Sequence, residues 1–219
     1  MDKAAFAKQR EQMVATQLLG RGIRAEAVLR AMRAVPREAF VARGFEHAAY
    51  DDRALPIARG QTISQPYIVA LMAEAAELGP DDRVLEVGAG SGYAAAVLGC
   101  IAAQVVAVER DAMLADAARE RLAALGCRNV EVVIGDGTLG RPECGRFDAI
   151  LVAAAGPVVP PALQAQLARG GRLVMPVGEH GCQSLVKLKR RGDSDEFERQ
   201  ELCLVAFVPL VGAQGWPER

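Results

Sequence analysis

The stretch Val84-Leu85-Glu86-Val87-Gly88-Ala89-Gly90-Ser91-Gly92-Tyr93 decides how this chain of 219 residues is read. A short apolar run ends in glycines at three alternate positions, and an alanine-rich segment follows directly. Such a run predicts a buried parallel strand, and the glycines let the backbone turn sharply into a helix and come close to a ligand. In an open parallel sheet a ligand lies at the carboxyl ends of the strands. The spacing discriminates further. A dinucleotide fingerprint requires G-x-G-x-x-G, whereas here glycines occupy 88, 90 and 92 and Tyr93 follows, which disfavours a nicotinamide-dependent oxidoreductase. A glycine-rich turn that holds no ligand is the alternative at this point.

Downstream, apolar runs and helix-forming segments alternate. Strands are expected at 83–88, 104–109, 130–135, 147–153 and 171–177, with helices near 92–102, 111–125 and 160–168. That alternation predicts a parallel sheet covered by helices on both faces. Two further β-like runs, 183–190 and 201–208, flank the charged turn Arg190-Arg191-Gly192-Asp193-Ser194-Asp195, so the last strands are expected to be antiparallel at one edge.

Upstream, the pattern is helical. Residues 3–19 are good helix formers stopped by Gly20 and Gly22, and 25–34 place Val28, Met32 and Val35 at helical spacing. Pro36 opens a short turn through Phe40. Residues 44–65 then lose all periodicity and collect Asp51, Asp52, Pro56, Gly60, Gln61, Thr62 and Ser64. Irregular segments of this length inside a compact domain tend to be functional. A helix from Pro66 to about Leu78 follows, with Ser64 as its expected cap. The reading is α/β: one Rossmann-like, doubly wound, mostly parallel sheet over 81–219, with 1–80 as helical cap and substrate loop, in a single domain of residues 1–219.

Composition bounds the function. The chain is 51% hydrophobic and 24% charged, which fits a soluble globular protein. A net charge of -1 offers no whole-chain attraction for nucleic acid or an anionic membrane. The first residues are charged and lack a secretory apolar core, and no run is long enough to span a bilayer. Cys100, Cys127, Cys144, Cys182 and Cys203 are odd in number, with no CxxC pair, and read as small buried hydrophobes in a reducing cytoplasm. His47 and His180 have no ligand spacing, so no metal site is expected. Oligomeric state is not encoded legibly, and a monomer is compatible with everything above.

Three strand ends carry candidate chemistry. Glu109 closes its strand 21 residues after Gly88, the separation at which a strand-helix-strand unit brings an acid alongside ribose hydroxyls. A carboxylate accepts two charge-assisted hydrogen bonds from vicinal hydroxyls. The competing role for Glu109 is as a charge at the N-terminus of helix 111–125. Gly135-Asp136-Gly137 ends the next strand, where Asp136 can reach an adenine amino group and Gly137 keeps the loop open; alone it is an ordinary turn signal. Glu86, two residues before Gly88, points to the ligand face and serves either an amino group of the ligand or the loop itself.

The glycine spacing after an acidic residue resembles the donor-binding loop of S-adenosylmethionine-dependent methyltransferases. Nearly the whole chain resembles the bacterial protein-L-isoaspartate O-methyltransferases. The segments that carry this are Ala34-Val35-Pro36-Arg37-Glu38-Ala39-Phe40-Val41, Leu55-Pro56-Ile57, Gly60-Gln61-Thr62-Ile63-Ser64-Gln65-Pro66, the glycine loop, Glu109, Gly135-Asp136-Gly137, Phe147-Asp148-Ala149-Ile150 and Phe207-Val208-Pro209-Leu210. The glycine loop implies a methyltransferase; the segment 60–66 is the specific element.

The resemblance implies S-adenosyl-L-methionine as methyl donor, with S-adenosyl-L-homocysteine as product, and isoaspartyl peptides and damaged proteins as acceptors. It places a catalytic serine at Ser64 and donor contacts at Thr62, Ile63, Ser64, Glu86, Gly88, Gly90, Gly92, Glu109, Asp136 and Gly137. Leu55 and Ile57 are expected to line the peptide groove beside Ser64. The alternatives are a methyltransferase of the same fold acting on a small molecule or RNA, and a non-catalytic donor-binding module. The segment 60–66 argues against the first, and an intact Ser64 and glycine loop against the second. The chain departs from the resembled pattern at Ala153, where threonine is usual, and at Val211, where some members carry threonine; each removes a polar group near the groove.

Overall fold

A computed structural model describes residues 3–179, 181–192 and 196–218. His180 and the Asp193-Ser194-Asp195 part of the expected charged turn lie outside the described residues, as do Met1, Asp2 and Arg219. Helix α1 (Lys3–Met13) continues into one wider π-helical turn at Val14–Leu18 and a tight turn at Leu19–Arg21, ended by Gly22 in a left-handed conformation. The expected regular helix over 3–19 is thus interrupted, and the wider turn lets Met13, Val14 and Leu18 all be buried. Helix α2 (Glu26–Ala34) buries Val28, Leu29, Ala31 and Met32, and a single turn at Arg37–Ala39 follows.

Within the aperiodic 44–65 segment the chain forms a small antiparallel hairpin. Strands β1 (Leu55–Pro56) and β2 (Thr62–Ile63) pair as Leu55 with Ile63 and Pro56 with Thr62, closed by a turn at Ala58–Gly60. Helix α3 (Pro66–Ala75) starts on its proline and stops before Leu78, because Glu77 adopts a left-handed conformation with φ 51°. Its N-cap position is Gln65 and carries no side-chain cap, so Ser64 does not serve the capping role expected of it.

The remainder is β3 (Arg83–Val87), α4 (Tyr93–Gly99), β4 (Gln104–Glu109), α5 (Ala112–Ala124), β5 (Val130–Ile134), β6 (Phe147–Val152), α6 (Pro161–Ala165), β7 (Leu167–Glu179), β8 (Cys182–Arg190) and β9 (Phe197–Val205). Helix α6 is shorter than expected because Leu167 already pairs with Phe147 across the sheet. The last strand begins four residues before the expected 201 and ends at Val205, after which the chain crosses back to pair Pro209 with Ala155.

The seven strands lie in the order β5-β4-β3-β6-β7-β8-β9, parallel from β5 to β7 and antiparallel for β8 and β9. The connections run outward in one direction from β3 to β4 and β5, and in the other from β6 to β7. The switch point therefore falls between β3 and β6, where a crevice opens at the strands' carboxyl ends. Central strands are covered on both faces, which is why they read as unbroken apolar runs rather than alternating ones.

One apolar cluster runs from Phe6 on α1 through Tyr93 to Val174 and Leu185 on the sheet, so the N-terminal helices share a core with one sheet face. A second cluster, including Leu85, Val106, Ile150, Leu163 and Met175, fills the other face. Arg172 on β7 fastens the end of α3, its Nε donating to the Ala76 carbonyl at 2.6 Å while its guanidinium pairs with Asp82 at 2.7 Å. The cysteines are free thiols but not the buried hydrophobes expected: Cys100 and Cys182 are exposed and the others half-buried, because they sit at helix ends and on outer strands rather than in the central sheet. Among the described residues no helix is long and apolar enough to cross a membrane.

Candidate active site

The crevice at the switch point is a cleft of about 790 Å³. The turn after β3 forms its floor. Gly88 and Ala89 donate their N–H groups to the Val108 carbonyl at 2.8 and 3.2 Å, which fixes the loop against β4. Gly90, at φ 53°, donates to Glu109 Oε2 at 2.9 Å; a side chain there would be strained and would meet Ile57. Gly92, at φ 88°, opens α4 where a Cβ would sit 3.2 Å from Ala118 on α5, so the third glycine serves helix packing.

Glu109 is 6% exposed and divides its carboxylate between two backbone donors: Oε2 takes Gly90 N–H and Oε1 takes Asp111 N–H at 3.0 Å. It does not cap α5. That position belongs to Asp111, whose Oδ1 accepts from Met113 and Leu114. Each Glu109 oxygen retains a lone pair, and the residue lines the cleft. The Arg59 guanidinium, hydrogen-bonded to Asp111 Oδ2 at 2.8 Å, holds the Asp111 carboxyl below its usual range, helped by the backbone donors.

Glu86 is the electrostatic anomaly. It is 2% exposed, lines the cleft, and neither carboxylate oxygen has a hydrogen-bond partner in the protein. Burial, and secondarily the charge of Glu109, pushes its carboxyl well above the ordinary carboxylate range. A buried acid without a partner is costly unless it is protonated or meets a cationic ligand.

The sign of the linkage is fixed. A folded-state value above the unfolded one means stability is full below the ordinary carboxylate range and is lost as pH rises toward the raised value. In the ligand-free protein, Glu86→Gln is therefore expected to flatten the fall in melting temperature from about pH 5 upward. Thermal melts of both proteins across that range test this; superimposable curves would show that another group titrates.

The third strand end is held by its own turn and by the C-terminal segment. Asp136 Oδ1 accepts from the Thr138 N–H and hydroxyl at 2.9 and 2.6 Å, and Oδ2 from Ala213 N–H at 2.7 Å. These contacts lower its carboxyl value against the opposing effect of burial. Asp136 is not among the residues lining the cleft; Gly137 is, packed so closely on Val87 that a Cβ would overlap it. Asp136 instead anchors the C-terminal segment, whose Val208, Pro209, Leu210 and Val211 form one wall. Trp216 Nε1 donates to Ala155 at 2.9 Å and its N–H to Leu210 at 2.7 Å, which completes that wall.

On the opposite wall stand Thr62, Ile63 and Ser64 from the hairpin. A second, smaller groove of about 430 Å³ abuts the cleft, lined by Ile68 on α3 and by Leu204–Val208. Thr62, Ser64, Ala153 and Val208 line both, so they form the junction. Ser64 is half-buried and its hydroxyl makes no hydrogen bond among the described residues.

Leu55 does not line the groove as expected. It is fully buried in the cluster beneath the hairpin, because in antiparallel register with Ile63 its side chain faces the core. Ile57 packs over Gly90.

Ala153 sits at the junction, beside Gly88, and Val211 on the cleft wall, so the two departures in the sequence both fall at the site.

Several cleft residues carried no recognised sequence signal. Arg59, Arg110, Asp111, Met113 and Glu218 line the mouth, with Arg110 paired to Glu218 at 2.7 Å. Tyr93 backs the glycine loop. It is buried, meets Phe40 edge-on at 5.6 Å between centroids, and lies beneath the Arg37 guanidinium at 4.8 Å. Arg37 itself is fully buried and donates through Nε to the Ala49 carbonyl at 2.7 Å. Burial pushes the Tyr93 phenol up to about 12. The segment 34–41 thus connects the helical cap to the back of the cleft, a link that only contact across the fold reveals.

The donor set fits a nucleoside ligand with a cationic nitrogen: spare acceptor capacity on Glu109, an unpartnered buried carboxylate on Glu86, and a close-approach glycine turn. Residues 8–215 match the family model described as protein-L-isoaspartate(D-aspartate) O-methyltransferase. The chain is 59% identical to protein-L-isoaspartate O-methyltransferase 2 of Pelobacter propionicus, over 95% of this chain and 92% of that one. It is 60% identical to protein-L-isoaspartate O-methyltransferase of Methylorubrum extorquens, over 95% and 91%. A solved protein-L-isoaspartate O-methyltransferase superposes with a TM-score of 0.85 at 29% identity, covering 94% of this chain and 67% of that one. A second, from Plasmodium falciparum and in complex with S-adenosyl-L-homocysteine, gives 0.79 at 25% identity over 93% and 98%. With the family model spanning nearly the whole chain and the strand-end site in place, the chain belongs to the protein-L-isoaspartate(D-aspartate) O-methyltransferase family.

Proposed function

We propose that this chain transfers a methyl group from S-adenosyl-L-methionine to the free α-carboxylate of L-isoaspartyl residues in damaged proteins, as the first step of their repair. The observation that carries this reading is the junction: an uncommitted Ser64 hydroxyl where the larger cleft meets the smaller groove. The bound donor supplies an electrophilic methyl on a positively charged sulfur. Glu109 would hold the ribose hydroxyls, the glycine loop would approach the donor with its backbone, and Glu86 would face its ammonium group. Thr62 and Ile63 close the donor side of the hairpin. Asp136 acts indirectly, by holding Gly137 and the 208–211 wall in place.

The acceptor needs no base. An α-carboxylate with an ordinary value near about 4 is ionised at neutral pH, and displacement at the sulfonium releases a neutral leaving group. The protein has to align the oxygen with the methyl and exclude water. A neutral hydroxyl orients one carboxylate oxygen without quenching its nucleophilicity as a lysine would. Ile68 and Leu204–Val208 offer an extended peptide a mostly apolar floor suited to varied flanking residues. When the following amide nitrogen attacks the ester carbonyl, the C–N bond of a succinimide forms, the methoxy group leaves as methanol with the amide proton, and the succinimide hydrolyses partly to normal aspartate.

In this division of labour 1–80 forms cap and substrate side and 81–219 the donor core of one domain, acting in the cytoplasm on isoaspartyl peptides and damaged proteins.

Labelled donor and a peptide pair differing only as isoaspartyl or aspartyl test the reading. Label is expected in the isoaspartyl peptide alone. Equal or absent labelling of the two, with donor binding intact, would return the field to a small-molecule or RNA acceptor.

A further inference from the structure

Arg59 occupies a conformation that its residue type disfavours. It lies at φ 61° and ψ 25°, in the left-handed region where glycine sits without strain and most side chains do not. The fold of the hairpin alone would be served better by glycine, so the side chain has to account for the residue. That side chain reaches from the hairpin turn to Asp111, Nε to Oδ2 at 2.8 Å. Asp111 caps α5 and follows, by two residues, the Glu109 carboxylate that holds Gly90. The guanidinium therefore ties the hairpin carrying Thr62 and Ser64 to the strand end that would carry the donor. On the apolar side the same hairpin rests Ile57 over Gly90.

We propose that Arg59 is a positioning residue for methyl transfer: its ion pair with Asp111 fastens the Leu55–Ile63 hairpin against the donor end of the sheet, so that Ser64 faces the donor. The inference rests on the methyl-transfer reading above. The pair is too exposed, at 57% and 23% of its side chains, to be a stability device. What it restrains is the distance between the acceptor side of the cleft and the donor side, and alignment of reacting groups is where such a restraint is felt.

Glycine at position 59 separates the two roles, because it relieves the backbone while removing the cation. Arg59→Gly is expected to melt at or above the wild-type temperature, yet to lower kcat on an isoaspartyl peptide about fivefold at saturating donor. Arg59→Lys, which keeps the charge, should restore most of that loss. Asp111→Asn retains a capping oxygen for α5 but not the charge, and is expected to lower kcat by a similar factor. The double variant Arg59→Gly with Asp111→Asn should be no slower than either single one.

Wild-type kcat in Arg59→Gly, losses that multiply in the double variant, or a fall in kcat matched by a fall in thermal stability would each overturn the positioning role. Failure of the wild-type protein to prefer the isoaspartyl peptide would instead sink the methyl-transfer reading, before any variant is compared.

Discussion

Glu109→Ala is expected to weaken binding of S-adenosyl-L-homocysteine by about 100-fold, the effect of losing two hydrogen bonds to a charged acceptor at about 1.5 kcal/mol each. The structure makes this more than a contact count. The carboxylate is buried and its two oxygens are already fixed by Gly90 and Asp111, so it is held in place before any ligand arrives. Truncation also orphans those two N–H groups, one in the glycine loop and one at the start of α5, so the donor-free protein should lose about 1–2 kcal/mol of stability. Glu109→Gln is no gentler, because its amide nitrogen would face one backbone donor with another. Titration calorimetry on both variants is the measurement. Unchanged affinity in Glu109→Ala, with the expected loss of stability, would assign the residue to the loop alone.

The reach of the sequence can be judged from the same residues. Strands β3, β4 and β6 were legible because both faces are covered and the run of apolar residues is continuous, and the place of Glu109 at the cleft because one strand-helix-strand unit fixes its distance from Gly88. Leu55 was misplaced because an aperiodic segment carries no signal for which side of a two-residue strand faces the core; its register with Ile63 decides that. At Asp136 the sequence leaves two roles open, because an acid between glycines can cap its own turn as readily as it meets a ligand, and the Ala213 N–H that it also accepts comes from a segment 77 residues further along the chain. The Arg59–Asp111 pair joins residues 52 apart in the chain, and neither position has a pattern that announces the other. Local chemistry was readable; contacts made by the fold between distant loops were not. Glu86 lies between these cases: its position two residues before the glycines marked it, but its lack of any partner emerges only from the packed interior.

Ser64→Ala should lower kcat on an isoaspartyl peptide by about 10- to 100-fold, the loss of one hydrogen bond to a charged acceptor in a partly water-excluded site. Affinity for S-adenosyl-L-homocysteine should change little, since the hydroxyl is at the junction rather than in the depth of the donor cleft. Thermal stability should also be nearly unchanged. The hydroxyl has no hydrogen-bond partner among the described residues, and α3 takes its N-cap position from Gln65. The three readouts together are diagnostic: a structural serine would lower stability, a donor-binding one would lower affinity, and an acceptor-orienting one lowers turnover alone. The pH dependence adds a fourth. With no base to titrate and an acceptor ionised well below neutrality, kcat should be flat from about pH 6 to 8 in both proteins, the variant lying below the wild type by a constant factor. Steady-state rates over that range decide the point. A variant whose loss grows toward low pH would show that Ser64 handles a proton, and would replace orientation of a carboxylate with acid-base chemistry.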